Sequence, residues 1–130
     1  MNGIDDFNAL EKAVLEWIGN EYDDPILNEQ IKHAKFVKRQ WTGAGSFIYF
    51  EVPNILAPLD PAVFESFPFG DVTIVSEDID LCGAAILWGK NGYINCIEMF
   101  CFGDFFNEEI RQFKLYDRES YNELLKQKKR

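Results

Sequence analysis

Cysteine and histidine are scarce in this chain, with three of the first and one of the second among 130 residues. No Cys-x-x-Cys pair occurs, so the spacing of a zinc site is missing although the residue count would allow one. A Cys/His nucleophile pair would have to bring His33 to a thiol, and nothing local to His33 does that. Basic residues are also few: 13 Lys and Arg against 22 Asp and Glu give a net charge of −9. That balance argues against nucleic acid and anionic membrane as partners. No apolar run reaches the roughly 20 residues of a membrane span. The start, Met1-Asn2-Gly3-Ile4-Asp5-Asp6, is acidic and lacks the apolar stretch of a secretory signal. With an odd cysteine count, this places the expected location in the reducing cytoplasm, with Cys82, Cys96 and Cys101 as free thiols and no metal or other cofactor. Proline is nearly absent outside one segment, because four of the five prolines fall between Pro53 and Gly70.

What is present is a large apolar inventory: 47% of residues are hydrophobic and 15% aromatic, enough for a folded core. The charge is uneven. From Arg118 onward there are five basic and two acidic residues, and before it eight and twenty, so the body stands at −12 and the tail at +3. We expect a single domain over residues 1–117 and a basic tail over 118–130 that adds little to the core.

Helical periodicity marks residues 5–20, where Phe7, Leu10, Val14, Trp17 and Ile18 share a face. Asp5 or Asp6 is placed to cap its start, and Gly19-Asn20 to end it. Asp24-Pro25 then opens a shorter helix, with aspartate at the cap and proline at the first helical position. Residues 34–41 and 46–52 read as strands. A four-residue loop, Thr42 to Gly45, puts Trp41, Val37, Ile48, Phe50 and Val52 on one face, and Gln40, Lys38, Phe47, Tyr49 and Glu51 on the other. Residues 72–75 form a further strand, 112–116 an edge strand, and Asp60-Pro61 one helical turn.

The organising stretch is Asp80 to Phe106. Asn91-Gly92 between two apolar runs is a strong hairpin signal, since both turn residues must accept positive φ. A regular register then pairs Lys90 with Tyr93, Trp88 with Asn95, Ile86 with Ile97, Ala84 with Met99 and Cys82 with Cys101. On the other side it pairs Leu87 with Cys96 and Ala85 with Glu98. The expected fold is therefore α+β, two N-terminal helices packed on an antiparallel sheet of about five strands.

Thr42-Gly43-Ala44-Gly45, Gly83-Ala84, Asn91-Gly92, Ile97-Glu98 and Gly103-Asp104, in this order behind two helices, resemble the pattern of a group of small uncharacterised bacterial proteins. The resemblance spans roughly Phe7 to Glu109 and implies a compact α+β fold without implying any chemistry. The chain departs from the pattern at Phe105-Phe106-Asn107, where a Trp-Pro is expected.

No catalytic residue set stands out. Asp78-x-Asp80 begins like a calcium loop and fails at Cys82 and Gly89, and Gly43-Ala44-Gly45 is turn chemistry, not a phosphate loop. Glu98 is the most informative carboxylate, because it sits mid-strand among Ile97, Met99 and Phe100 and opposite the small Ala85. The segment 53–70 carries more apolar side chains than a connection needs, and Phe64, Phe67 and Phe69 are its candidate binding residues. Three functions are open on these grounds. The first is a non-enzymatic protein-interaction domain, an immunity-type or regulatory binder. The others are a small-ligand binder or enzyme centred on Glu98, and a homo-oligomer joined through 53–70. The partner is accordingly another protein or a second copy of this one.

Overall fold

Asn8 starts the first helix through a reciprocal cap: its Oδ1 accepts from the Glu11 amide at 2.9 Å, and Glu11 Oε1 accepts from the Asn8 amide at 2.8 Å. The helix α1 therefore runs Ala9–Tyr22, two to three residues later than a cap at Asp6 or Asp5 would set it. The computed structural model describes residues 7–43, 45–64, 69–76, 81–101 and 113–117. Gly19 does not end α1. It is buried inside it, where a Cβ would meet the side-chain ends of Asn28 and Ile31 on the next helix, so the missing side chain leaves room for them. Helix α2, Pro25–Lys32, begins as its residues dictate, with Asp24 Oδ1 accepting from the Ile26 and Leu27 amides. Among the described residues no helix is long and apolar enough to cross a membrane.

The strands are β1 Lys35–Trp41, β2 Gly45–Glu51, β3 Phe69–Ser76, β4 Leu81–Lys90, β5 Tyr93–Cys101 and β6 Lys114–Asp117, with a single helical turn α3 at Pro61–Phe64. They form one six-stranded antiparallel sheet in the order β1-β2-β5-β4-β3-β6, in keeping with the expected α+β fold on a sheet of about five strands. The β4–β5 hairpin lies at its centre. Both turn residues carry positive φ, 57° at Asn91 and 90° at Gly92, as the hairpin signal requires.

Three bulges set which side chains face the helices. In β1, Phe36 pairs with Phe50 and Lys38 with Tyr49, so Val37 is the extra residue and stands 49% exposed. Phe36 takes the inward place expected of Val37. The four-residue loop and its other face assignments hold: Trp41 pairs with Ser46, Arg39 with Ile48, Gln40 with Phe47. In the central hairpin Trp88 pairs with Cys96 and Gly89 with Ile94, which leaves Asn95 as the extra residue. Beyond that bulge the regular register fails by one. Ile86 pairs with Glu98, Ala84 with Phe100 and Gly83 with Cys101, so Cys82 and Cys101 are not cross-strand partners. The physical reason is burial. Ile94 and Ile97 are three apart, and strict alternation would send one of them to each face; the bulge at Asn95 lets both point inward. A third irregularity lies in β3 between Phe69 and Val72.

The core lies between the helices and one face of the sheet. Leu10, Val14, Leu15, Ile18 and Leu27 pack on Ile48, Phe50, Val72, Ile74, Ala85, Leu87, Ile97 and Met99. Each fully buried aliphatic side chain contributes about 1.5–3 kcal/mol. At the hairpin end, Leu59 from the 52–60 connection joins the same cluster.

Candidate functional site

The other face of the sheet carries the alternate residues of the same strands. By register these are Lys38 and Gln40 of β1, Phe47 and Tyr49 of β2, Cys96, Glu98 and Phe100 of β5, Ala84, Ile86 and Trp88 of β4, and Thr73 and Val75 of β3. None of them belongs to the core cluster, and both α1 and α2 pack on the opposite side. Trp88 is 37% exposed, and Phe47, Tyr49, Ile86, Glu98 and Phe100 are half-buried. Aromatic rings thus stand side by side on a surface that still touches solvent.

The centre of this face is Glu98. Its neighbours across the strands are Phe47 on β2 and Ile86 on β4, not Ala85 as the regular register would have it. Trp88, diagonal to it, donates its indole N–H to Glu98 Oε1 at 3.0 Å, which fixes both side chains. That indole reaches Glu98 because the bulge at Asn95 moved Glu98 to the Trp88 side. Farther along, Phe47 and Tyr49 stack with centroids 6.2 Å apart and planes 20° from parallel. The Lys38 ammonium sits 5.1 Å from the Tyr49 ring centroid, a cation placed on an aromatic of the same face. Cys96 lies opposite both Trp88 and Tyr49. Burial pushes its thiol up to about 11, and the nearby Glu98 charge adds to the shift. A thiol held protonated in this way is a poor nucleophile. His33 sits at the end of α2 with its ring against Glu29, and no hydrogen bond joins it to Cys96.

Of the phenylalanines expected at a binding surface, Phe64 ends α3 and Phe69 opens β3 opposite Leu87, while Phe67 lies outside the described residues. The 52–60 part of that connection is tied down. Tyr93 donates its hydroxyl to the Leu56 carbonyl at 2.8 Å, Leu59 N–H bonds Gly92 O at 2.8 Å, and Gln30 Nε2 reaches the Ala57 carbonyl at 3.0 Å. Leu59 is 3% exposed, so this stretch caps one end of the core, while Ile55 is left 89% exposed. Asp78 and Asp80 lie outside the described residues. Among the described residues no group of three or more His, Cys, Asp or Glu is placed to hold a metal ion.

A separate open groove of about 470 Å³ lies between α1, α2 and the start of β1, lined by Phe7, Lys12, Leu15, Ile31 and Lys32 among others. Glu98 is not part of it. Sequence reasoning found Glu98 and missed Trp88, Phe47 and Tyr49 as its companions. The alternation in β2 already separated Phe47 and Tyr49 from Ile48 and Phe50, but the Asn95 bulge, which joins them to Glu98, had no such signal. No protein-family model matches the chain, and comparison with curated proteins and with solved structures returns no match.

Proposed function

We propose that this chain is a non-enzymatic protein-interaction domain, an immunity-type or regulatory binder of the cytoplasm, which takes a basic protein partner on the sheet face opposite its helices. The observation that carries this reading is the row Phe47, Tyr49, Trp88 and Phe100 on one partly solvated face. Aromatic side chains concentrate binding energy when a partner desolvates them, and rigid strands present them at little entropic cost. Charge favours a basic partner over a second copy, because two chains of −9 each repel.

The test begins with affinity capture from the source cell, identification and purification of the captured protein, and calorimetry of the purified pair. Trp88→Ala and Tyr49→Ala should each weaken that binding by at least about tenfold, the usual effect of truncating an aromatic anchor. Ile55→Ser, on the exposed part of the 53–70 segment, should leave it unchanged. Binding lost in Ile55→Ser and kept in Trp88→Ala would overturn the assignment in favour of the loop. A purified protein that fails to bind at all would overturn it as well.

A further inference from the structure

The aromatic row explains affinity for a protein surface but not what the partner must present. On that proposed interaction face, we infer that the Trp88–Glu98 pair is the reading point, and that it seats one guanidinium group from an arginine of the partner.

Four features of this face lead to this chemistry. Glu98 is held in place, since Trp88 Nε1 donates to its Oε1 at 3.0 Å. Its second oxygen makes no hydrogen bond among the described residues, so the carboxylate keeps free acceptor capacity. Its cross-strand neighbours Phe47 and Ile86 and its diagonal neighbour Trp88 offer planar or apolar walls on which a flat cation can lie. Finally, Lys38 already rests on the Tyr49 ring of this face, 5.1 Å from its centroid, so the sheet accepts a cation over an aromatic one strand pair away. A half-buried carboxylate bordered by rings gains more from a partner's cation than a fully solvated one does.

Arginine fits better than lysine for two reasons. The guanidinium is planar, so it stacks along the Trp88 and Phe47 rings while one N–H points at Glu98 Oε2. It is also less strongly hydrated than an ammonium, so less is lost on entering a surface where half of each side chain is already out of water. Neighbouring Lys38 would repel a second cation on the β1 side, which limits the site to one such group and fixes its position toward β4.

The experiment needs no knowledge of the partner. Tryptophan indole N–H signals of the labelled full chain are followed by two-dimensional NMR during titration with N-acetyl-arginine amide. The Trp88 signal, assigned by its loss in Trp88→Phe, should shift and saturate in the millimolar range. N-acetyl-citrulline amide, which has the same shape without charge, should leave it still, and N-acetyl-lysine amide should bind several-fold more weakly. Glu98→Gln keeps the indole acceptor and the fold, which the remaining signals verify, and should abolish the saturable shift. A shift that persists in Glu98→Gln, an equal response to citrulline, or no saturable response to arginine would each overturn the assignment. Those results would leave the interaction face itself intact if Trp88→Ala still weakens the purified partner pair. If Trp88→Ala leaves that pair unaffected while arginine amide still binds at Glu98, the interaction face fails and the guanidinium site stands by itself.

Discussion

Arg39 on the edge strand β1 grips Glu11 on α1 with two hydrogen bonds, Nε to Oε2 at 2.5 Å and Nη2 to Oε1 at 2.6 Å. Glu11 is 1% exposed and also closes the helix cap by accepting the Asn8 amide. One carboxylate therefore fastens the helix start and ties the helix to the sheet. The Arg39 guanidinium lies 4.9 Å from the Phe36 ring centroid, which supports it from below. Removing the arginine alone strands a buried charge. Arg39→Met should destabilise the fold by about 3 kcal/mol or more, while the double change with Glu11→Gln should recover part of that loss because the charge leaves too. Urea unfolding of the two variants measures both. Equal losses in the single and the double variant would show that the pair contributes through packing alone.

Gln30 is the fully buried polar side chain that fastens three segments. Its Nε2 donates to Ala57 O and Gly92 O, each at 3.0 Å, and its Oε1 accepts from the Ile94 amide at 3.0 Å. Gln30→Leu keeps the size of the side chain and takes the partner from the Ala57 carbonyl and the Ile94 amide, while the Gly92 carbonyl keeps the Leu59 N–H. At roughly 1–3 kcal/mol per orphaned group, even partial relaxation should leave a loss of about 2–4 kcal/mol. Hydrogen exchange at the Ile94 amide should quicken more than exchange at the Ile97 amide, which stays within the sheet. Unchanged exchange at Ile94 would mean that water takes the place of the amide.

Cys96 tests the electrostatics of the far face. Its folded pKa of about 11 lies above the ordinary 9.0. The sign follows from which state binds the proton: between those values the unfolded chain loses it first. This group's contribution to stability is therefore complete below pH about 9 and is lost as pH rises toward 11. In a Cys82→Ser/Cys101→Ser background, iodoacetamide at pH 8 should label folded Cys96 roughly a hundredfold more slowly than the urea-unfolded chain, from the thiolate fractions alone. Glu98→Gln should speed that labelling by removing the negative neighbour. Labelling as fast as in the unfolded chain would contradict the burial of the thiol.

Local chemistry was enough for much of the architecture. Asp24-Pro25 could only start a helix, Asn91-Gly92 could only turn with two positive φ values, and the alternation in 46–51 fixed which residues of β2 face the core. These signals act within a few residues, so they survive without knowledge of the fold. Asn8 showed the limit of even this reading, because Asp5, Asp6 and Asn8 are all good caps and only Glu11 three residues later selects among them. The bulges at Val37 and Asn95 belong to the tertiary structure. Each costs a ladder position locally and is chosen because the whole sheet must turn Phe36, Ile94 and Ile97 toward the same two helices. The strand order, the Gln30 junction between segments 27 and more residues apart, and the Arg39–Glu11 tie are set in the same way. So is the candidate site. The sequence by itself determined that a carboxylate stands mid-strand at Glu98, and only the shift at Asn95, demanded by burial on the other face, decided that it meets Trp88.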